Sequence, residues 1–424
     1  MLAVRLLSRL QAQRAGAATV KRFQSVAFRG FASDASDAAD ASEEPLHEGV
    51  IASIPLSQVS ENERLKFFPF LKETQHKVMP EGLNKRTEAT FDLVGHRHAM
   101  LRENTLKVIS TMKDWETAKA ESTGAVVIDG DRGCGKTFAL QQIVQFARES
   151  EWLVLYIPRA RSWCYEAPYV MPSPYIEGKF DIDTFAIDLL EKFLQCHGEQ
   201  LRKIPLRGSY SDRYYPESFP AKPKEAGEFD PSTLTLRDLV VNGIRDEELA
   251  STAVVDLRAE LAKVTEFPVL VAIDEYNTWF EKTVFGYDGV DVKPSDIAVI
   301  DAFTDVRENG LVEDRKLSNG LFVLATTENY PSKADFKKQV NYRAHRLTMR
   351  PYNQEELQSV MAYYNQVHFV HDKPTESQLA YFRLMTKSVP LNVFDHKPTE
   401  SQLAYFRLMT KSVPLNVFDR ASFA

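Results

Sequence analysis

Four short apolar runs punctuate the chain: Ala125 to Ile128 (AVVI), Trp152 to Ile157 (WLVLYI), Val269 to Ile273 (VLVAI) and Gly320 to Thr327 (GLFVLATT). Runs of this length without polar alternation predict strands covered on both faces, the habit of parallel sheets. Between them the period lengthens. Leu140, Ile143, Val144 and Ala147 fall on one helical face, as do Phe185, Leu189, Leu190 and Phe193 within Thr184 to Cys196. Leu101 to Trp115 and Pro294 to Arg307 also read as helices. Asn353, followed three residues later by Glu356, has the N-cap logic for a helix through Leu357, Val360 and Met361. This alternation predicts an α/β fold: a mostly parallel sheet flanked by helices, a right-handed crossover from the first strand to the second, and a small helical C-terminal lid.

Composition divides the chain further. No apolar run approaches a membrane span. Residues 1–31 hold Arg5, Arg9, Arg14, Lys21, Arg22 and Arg29 without one acid, and Leu2, Leu6 and Leu10 mark a partly apolar helical face. That is the composition of a mitochondrial transit peptide, and Arg29-Gly30-Phe31-Ala32-Ser33 resembles a matrix-protease cleavage pattern. A basic arm that binds nucleic acid is the alternative, disfavoured by the Ser/Ala/Arg-rich text. Removal of those charges takes the formal net charge from −7 to −13, which argues against broad electrostatic coating of RNA. Residues 32–55 are expected to be an acidic, disordered linker, and 56–100 an N-terminal extension whose Phe67, Phe68 and Phe70 pack on their own domain rather than on a partner. A nucleotide-binding domain is expected over 101–340 and the helical lid over 341–424. Within the former, 202–231 reads as a surface insertion. Its Arg202, Lys203, Arg207 and Arg213, interleaved with Tyr210, Tyr214 and Tyr215, offer RNA contacts, but a solvated loop is the better reading. In the lid, residues 373–395 recur unchanged as 397–419; two identical copies indicate a tandem duplication or a sequence-assembly error, not a solenoid. Cys134, Cys164 and Cys196 have neither disulfide-framework nor zinc spacing, and a reduced compartment is the default. His96 and His98 lack the further ligands a metal site needs.

The candidate chemistry begins where the first strand ends. Gly130-Asp131-Arg132-Gly133-Cys134-Gly135-Lys136-Thr137 fits GxxxxGK[ST] at every specified position, and Phe138 follows on the helix. Glycines at 130, 133 and 135 let backbone N–H groups turn inward around phosphate oxygens, Lys136 reaches the β- and γ-phosphates, and Thr137 can hold Mg²⁺. The helix N-terminus adds its dipole. Asp274, at the end of the Val269 strand, completes a Walker B pattern as the second Mg²⁺ ligand. Glu275 can serve as catalytic base only if it faces the γ-phosphate. Thr326 and Thr327 end the Gly320 strand, where a polar γ-phosphate sensor is expected. Arg159 and Arg161, and Arg343, Arg346 and Arg350, are candidates for phosphate or RNA contact, with plain surface charge as the alternative. Asn84-Lys85-Arg86-Thr87 echoes the guanine-reading Asn-Lys-x-Asp element but lacks its Asp and precedes the loop. A translation-factor GTPase is therefore disfavoured.

Taken together, GDRGCGKTFAL, WLVLYIPRARSW, FPVLVAIDEYNTWF, PSDIAVIDAFTDVR, GLFVLATTEN, RPYNQEELQSVMAYY and HDKPTESQLAYFRLM resemble, in order and wording, the death-associated protein family, P-loop GTP-binding proteins of the mitochondrial small ribosomal subunit. The resemblance runs from about Leu101 to the end. It implies an AAA+-like domain with a helical lid, bound GTP or GDP with Mg²⁺, and a matrix location in the head of the small subunit. Ribosomal RNA and ribosomal proteins are the implied partners, with large-subunit contact at the interface. Carried over by residue, phosphate contacts fall on Gly130 to Thr137 and the Walker B role on Asp274. A catalytic role for Glu275 is not inherited, because that position varies in the family. The expected function is structural, with slow or absent hydrolysis; an active AAA+ or STAND-type ATPase in remodelling or signalling is the alternative.

Overall fold

A computed structural model of the chain describes residues 49–70, 78–83, 85–118, 124–210, 212–221, 229–304, 306–307, 310–311, 316–328, 345–370 and 376–390. The transit-peptide reading, Arg343 and the whole second copy of the duplicated segment lie outside them, whereas residues 376–390 of the first copy are described. In chain order the elements that position the site are β1 (Phe67–Pro69), α1 (Lys85–Val94), β2 (His98–Met100), α2 (Glu103–Ala118), β3 (Ala125–Asp129), α3 (Lys136–Glu149) and β4 (Leu153–Ile157). They are followed by α4 (Asp183–Leu201), α5 (Leu236–Arg245), α6 (Glu247–Leu261), β5 (Val269–Ile273), α7 (Ala298–Phe303), β6 (Gly320–Ala325), β7 (His345–Thr348), α8 (Gln354–Gln366) and α9 (Glu376–Thr386).

Five strands form one parallel sheet in the order β7-β3-β6-β5-β4. The strands are continuous apolar runs because both faces are covered. Period-2 alternation sends Val127, Leu155, Val271 and Leu324 to one face, against α4, α5 and α6. It sends Val126, Val154, Leu270 and Val323 to the other, against α2, α3 and the N-terminal residues Leu56, Val59, Phe68 and Phe70. Each such side chain contributes about 1.5–3 kcal/mol on full burial. The three phenylalanines of the extension are thus spent on their own core. A smaller cluster joins Phe67, Met100, Val360, Tyr363 and Phe382, with the Phe67 and Tyr363 rings stacked at 3.9 Å, and fastens the helical lid to the antiparallel β1–β2 pair.

The register decides what meets at the carboxyl edge. Leu324 of β6 lies opposite both Val127 of β3 and Ile273 of β5, so β6 runs between the strand that feeds the glycine-rich loop and the strand that carries Asp274. Such sheets bind ligands outside this edge, at the point where the strand order reverses. The expected strands and α3 therefore stand, within an α/β P-loop-like fold.

Elsewhere the chain departs from the sequence reading. The helix expected over Pro294 to Arg307 is only Ala298–Phe303. Pro294 opens a separate 3-10 turn, Ile297 is extended and bridged to Phe180, and Val306–Arg307 pairs as a strand with Gly310–Leu311; tertiary pairing overrides the local periodicity. Helices α5 and α6 were not expected at all, although Thr235 and Asp238 form a capping box and Leu249, Ala253 and Leu257 have helical spacing. The 202–231 segment is strapped onto these helices. Tyr214 is buried and its hydroxyl donates to Asp256 Oδ2 at 2.6 Å. Arg213 also pairs with Asp256, Arg207 with Glu266 and Arg202 with Glu217. Three of the four cations offered for RNA contact are engaged within the fold.

Candidate functional site

The glycine-rich loop leaves β3 at Asp129, and Gly130 takes φ +135°, a backbone region that L side chains rarely adopt. Gly135 takes φ +91° as the N-cap of α3. Leu140, Ile143, Val144 and Ala147 are fully buried behind it, so the helix N-terminus is anchored with its dipole aimed at the loop's concave side. Lys136 is drawn into that loop. Its Nζ donates to the carbonyls of Gly130 at 2.5 Å and Asp131 at 2.9 Å. Burial lowers its pKa, opposed foremost by the Glu328 carboxylate.

Thr137 Oγ1 donates to Asp274 Oδ2 at 2.7 Å, while Asp274 Oδ1 accepts the Glu275 N–H at 2.9 Å. Burial pushes the Asp274 carboxyl up to about 7, against the Thr137 hydrogen bond. A hydroxyl and a carboxylate, two hard oxygens in contact beside a phosphate loop, fit Mg²⁺, which takes one or two protein oxygens and completes its octahedron with phosphate and water. No group of three or more His, Cys, Asp or Glu able to hold a metal occurs among the described residues. An ion here would depend on the phosphates it neutralises.

Glu275 is held at φ +60°, left-handed for a side chain other than glycine. Its carboxyl is buried, which raises its pKa, and the cations that oppose this are Arg159 and Arg161 beyond the end of β4. One of its oxygens, Oε2, is buried without a hydrogen-bond partner among the described residues. Thr326 and Thr327 are buried at the end of β6. The Thr326 N–H donates to Ile128 O at 3.0 Å, and Asn277 clamps the Thr327 peptide from both sides, accepting from its N–H and donating to its carbonyl at 2.8 Å each. Asn277 and Glu328 were not singled out from sequence; their only signal is position just after a chemistry-bearing strand end.

These groups border one cavity of about 330 Å³, a size suited to a small-molecule ligand. Of the sequence-predicted residues, Arg132 to Phe138, Arg159, Asp274, Glu275, Thr326 and Thr327 line it. Gly130 and Asp131 instead serve through the carbonyls that hold Lys136. The opposite wall comes from distant segments: Phe67, Thr87, His98, Met100, Thr105, Tyr352 and Val360. There the Thr105 hydroxyl is buried and without a partner among the described residues, and His98 Nδ1 meets the Tyr363 hydroxyl at 3.2 Å. His98 is a half-buried residue of this wall. Arg102 ties the two walls together. It donates to both Glu356 oxygens on α8 at 2.7 and 2.9 Å, to Cys134 O in the loop at 2.9 Å and to Arg350 O at 2.8 Å. Cys134 itself is fully buried, and burial raises its thiol pKa. Arg346 pairs with Asp129, Arg159 with Glu166, and Arg161 stacks over Tyr165.

The family described as mitochondrial ribosomal death-associated protein 3 matches residues 99–390, about two thirds of the chain. Small ribosomal subunit protein mS29 of Bos taurus is 26% identical over 227 residues, covering 53% of this chain and 54% of the bovine protein. The chain thus spans about half the length of that relative. Its counterpart in Mus musculus is 23% identical over 352 residues, covering 78% of this chain and 80% of the mouse protein.

Proposed function

Since the chain belongs to the family of mitochondrial ribosomal death-associated protein 3, we propose that it is a structural protein of the mitochondrial small ribosomal subunit, in the matrix, that holds a guanine nucleotide with Mg²⁺ and hydrolyses it slowly or not at all. The relatives' names support the ribosomal part, with ribosomal RNA, neighbouring ribosomal proteins and a large-subunit contact as partners. The nucleotide part rests above all on Thr137 Oγ1 meeting Asp274 Oδ2 at 2.7 Å beside the buried Lys136.

In this reading Arg132 to Thr137 would face the phosphates, Lys136 would exchange its Gly130 and Asp131 carbonyl partners for phosphate oxygens, and Thr137 and Asp274 would hold the metal. Bound Mg²⁺ neutralises phosphate charge. The cavity also reaches residues of β1, β2 and α8, where a base and ribose would have room. Nucleotide that binds only the folded chain stabilises it by mass action, about 2.7 kcal/mol at a hundredfold excess over Kd. Glu275 lines the cavity beside Asp274, and that adjacent pair is what an active ATPase reading would rest on.

The test is sedimentation of the mature protein with mitochondrial small subunits, followed by mass spectrometry of the nucleotide they release. Co-sedimentation with guanine nucleotide is expected. Free sedimentation would remove the ribosomal assignment, and adenine nucleotide alone would remove the guanine assignment.

A further inference from the structure

We propose that Glu328 occupies the terminal-phosphate end of the cleft and makes the site selective for nucleoside diphosphates over triphosphates. This rests on the nucleotide-binding reading above and deepens it by naming the phosphate chain length.

Glu328 follows Thr326 and Thr327 at the end of β6, the strand that runs between the loop-bearing β3 and the Asp274-bearing β5. Its Oε2 accepts the backbone N–H of Arg132 at 3.1 Å, and its carboxylate is the leading charge that favours protonated Lys136. It lines the same cavity as Arg132 to Thr137, Asp274 and the two threonines. A phosphate loop offers backbone N–H groups to phosphate oxygens, and its lysine spans the β- and γ-phosphates. The Glu328 carboxylate therefore stands where a third phosphate would be directed, with one loop amide already taken. Two anions at contact distance repel, and one N–H cannot serve both. A diphosphate ends short of this position and keeps the rest of the loop, with the Glu328 carboxylate as its neighbour instead of a γ-phosphate. Since Glu328 is exposed, its replacement leaves the core untouched.

Pyrophosphate and tripolyphosphate, which carry no base, probe this directly by titration calorimetry in Mg²⁺ buffer, followed by GDP and a non-hydrolysable GTP analogue. The full chain is expected to bind the shorter member of each pair at least tenfold more tightly. Glu328→Gln is expected to shift the ratio of the two affinities about tenfold toward the longer member, equivalent to about 1.4 kcal/mol. An unchanged ratio in Glu328→Gln, or equal loss of both ligands, would overturn the inference while leaving nucleotide binding intact. Failure of the parent chain to bind either pair would remove the nucleotide reading and this inference together.

Discussion

The two walls of the cavity are built on opposite plans. One is contiguous: Arg132 to Phe138 in a single stretch of chain, with Asp274 and Thr327 brought up by parallel strands in fixed register. The other is gathered from Phe67, Thr87, His98, Thr105, Tyr352 and Val360, residues up to 293 positions apart that belong to β1, α1, β2, α2 and the lid. The contiguous wall carries the glycine-rich loop, Lys136 and Asp274, whereas the gathered wall is mostly apolar and aromatic with the Thr105 hydroxyl and His98 set into it, so on the nucleotide reading proposed above any discrimination between bases would fall to the second. The difference teaches that phosphate binding can be encoded locally, whereas selection requires the whole tertiary structure.

The largest expected effect comes from separating the walls. Arg102 and Glu356 are nearly buried, with side-chain exposures of 11% and 8%, and removing one partner of such a pair costs about 3–5 kcal/mol because the other is left uncompensated. Arg102→Ala is expected to lose about that much in urea unfolding and to weaken nucleotide binding, although it removes no phosphate contact. Arg102→Met combined with Glu356→Leu should recover much of the stability; if it does not, the pair is not what joins the walls.

Next in size is a lesion confined to the contiguous wall. Lys136→Ala is expected to lower nucleotide occupancy and thermal stability together, forfeiting about 2.7 kcal/mol at a ligand excess of a hundredfold over Kd. A variant that loses nucleotide yet melts with the parent would remove the idea that the ligand is a structural cofactor.

An acid transition that touches neither wall provides the reference. His197 on α4 is fully enclosed at the free edge of the sheet, accepting the Val154 N–H at Nε2 and facing Gln200 Oε1 through Nδ1. Burial lowers its pKa from 6.5 to about 4. Between these values the unfolded chain binds the extra proton, so this contribution is full above pH 6.5 and is lost as pH falls toward 4, to the extent of about 3 kcal/mol. Urea unfolding across that range should show the loss equally in the parent and in Lys136→Ala, and should lack it in His197→Gln.

The smallest effect belongs to the gathered wall alone. The Asn353 side chain accepts the Glu356 N–H at 2.8 Å and caps α8. Asn353→Ala is expected to cost about 1 kcal/mol, and a melting shift without any change in pyrophosphate affinity would sharpen the division between the walls.

What sequence revealed follows the same division. Lys136, Thr137 and Asp274 were legible because each is a fixed step from a glycine or a strand end. The strands were legible because burial on both faces removes polar residues. Strand order was not, since nothing in the text of Gly320 to Ala325 says that it inserts between β3 and β5. Thr105 and Tyr352 are ordinary residues until the chain folds, and Glu328 is one exposed carboxylate among many. The helices α5 and α6 are legible in principle, through the Thr235–Asp238 capping box and the helical spacing of Leu249, Ala253 and Leu257.

Gly130 has a meaning beyond phosphate. A Cβ there would collide with the carbonyl of Met349, whose own N–H donates to Asp129 O at 2.6 Å. The backbone just before the lid is thus seated in the notch that the missing side chain leaves, directly beneath the first turn of the loop. Position 130 is a mechanical bearing: it is where the peptide that wraps the ligand and the peptide that carries the C-terminal helices share a surface with no side chain to cushion them. A side chain at position 130 would therefore wedge the glycine-rich loop away from the peptide that leads into α8, so one glycine sets how closely the two segments can lie.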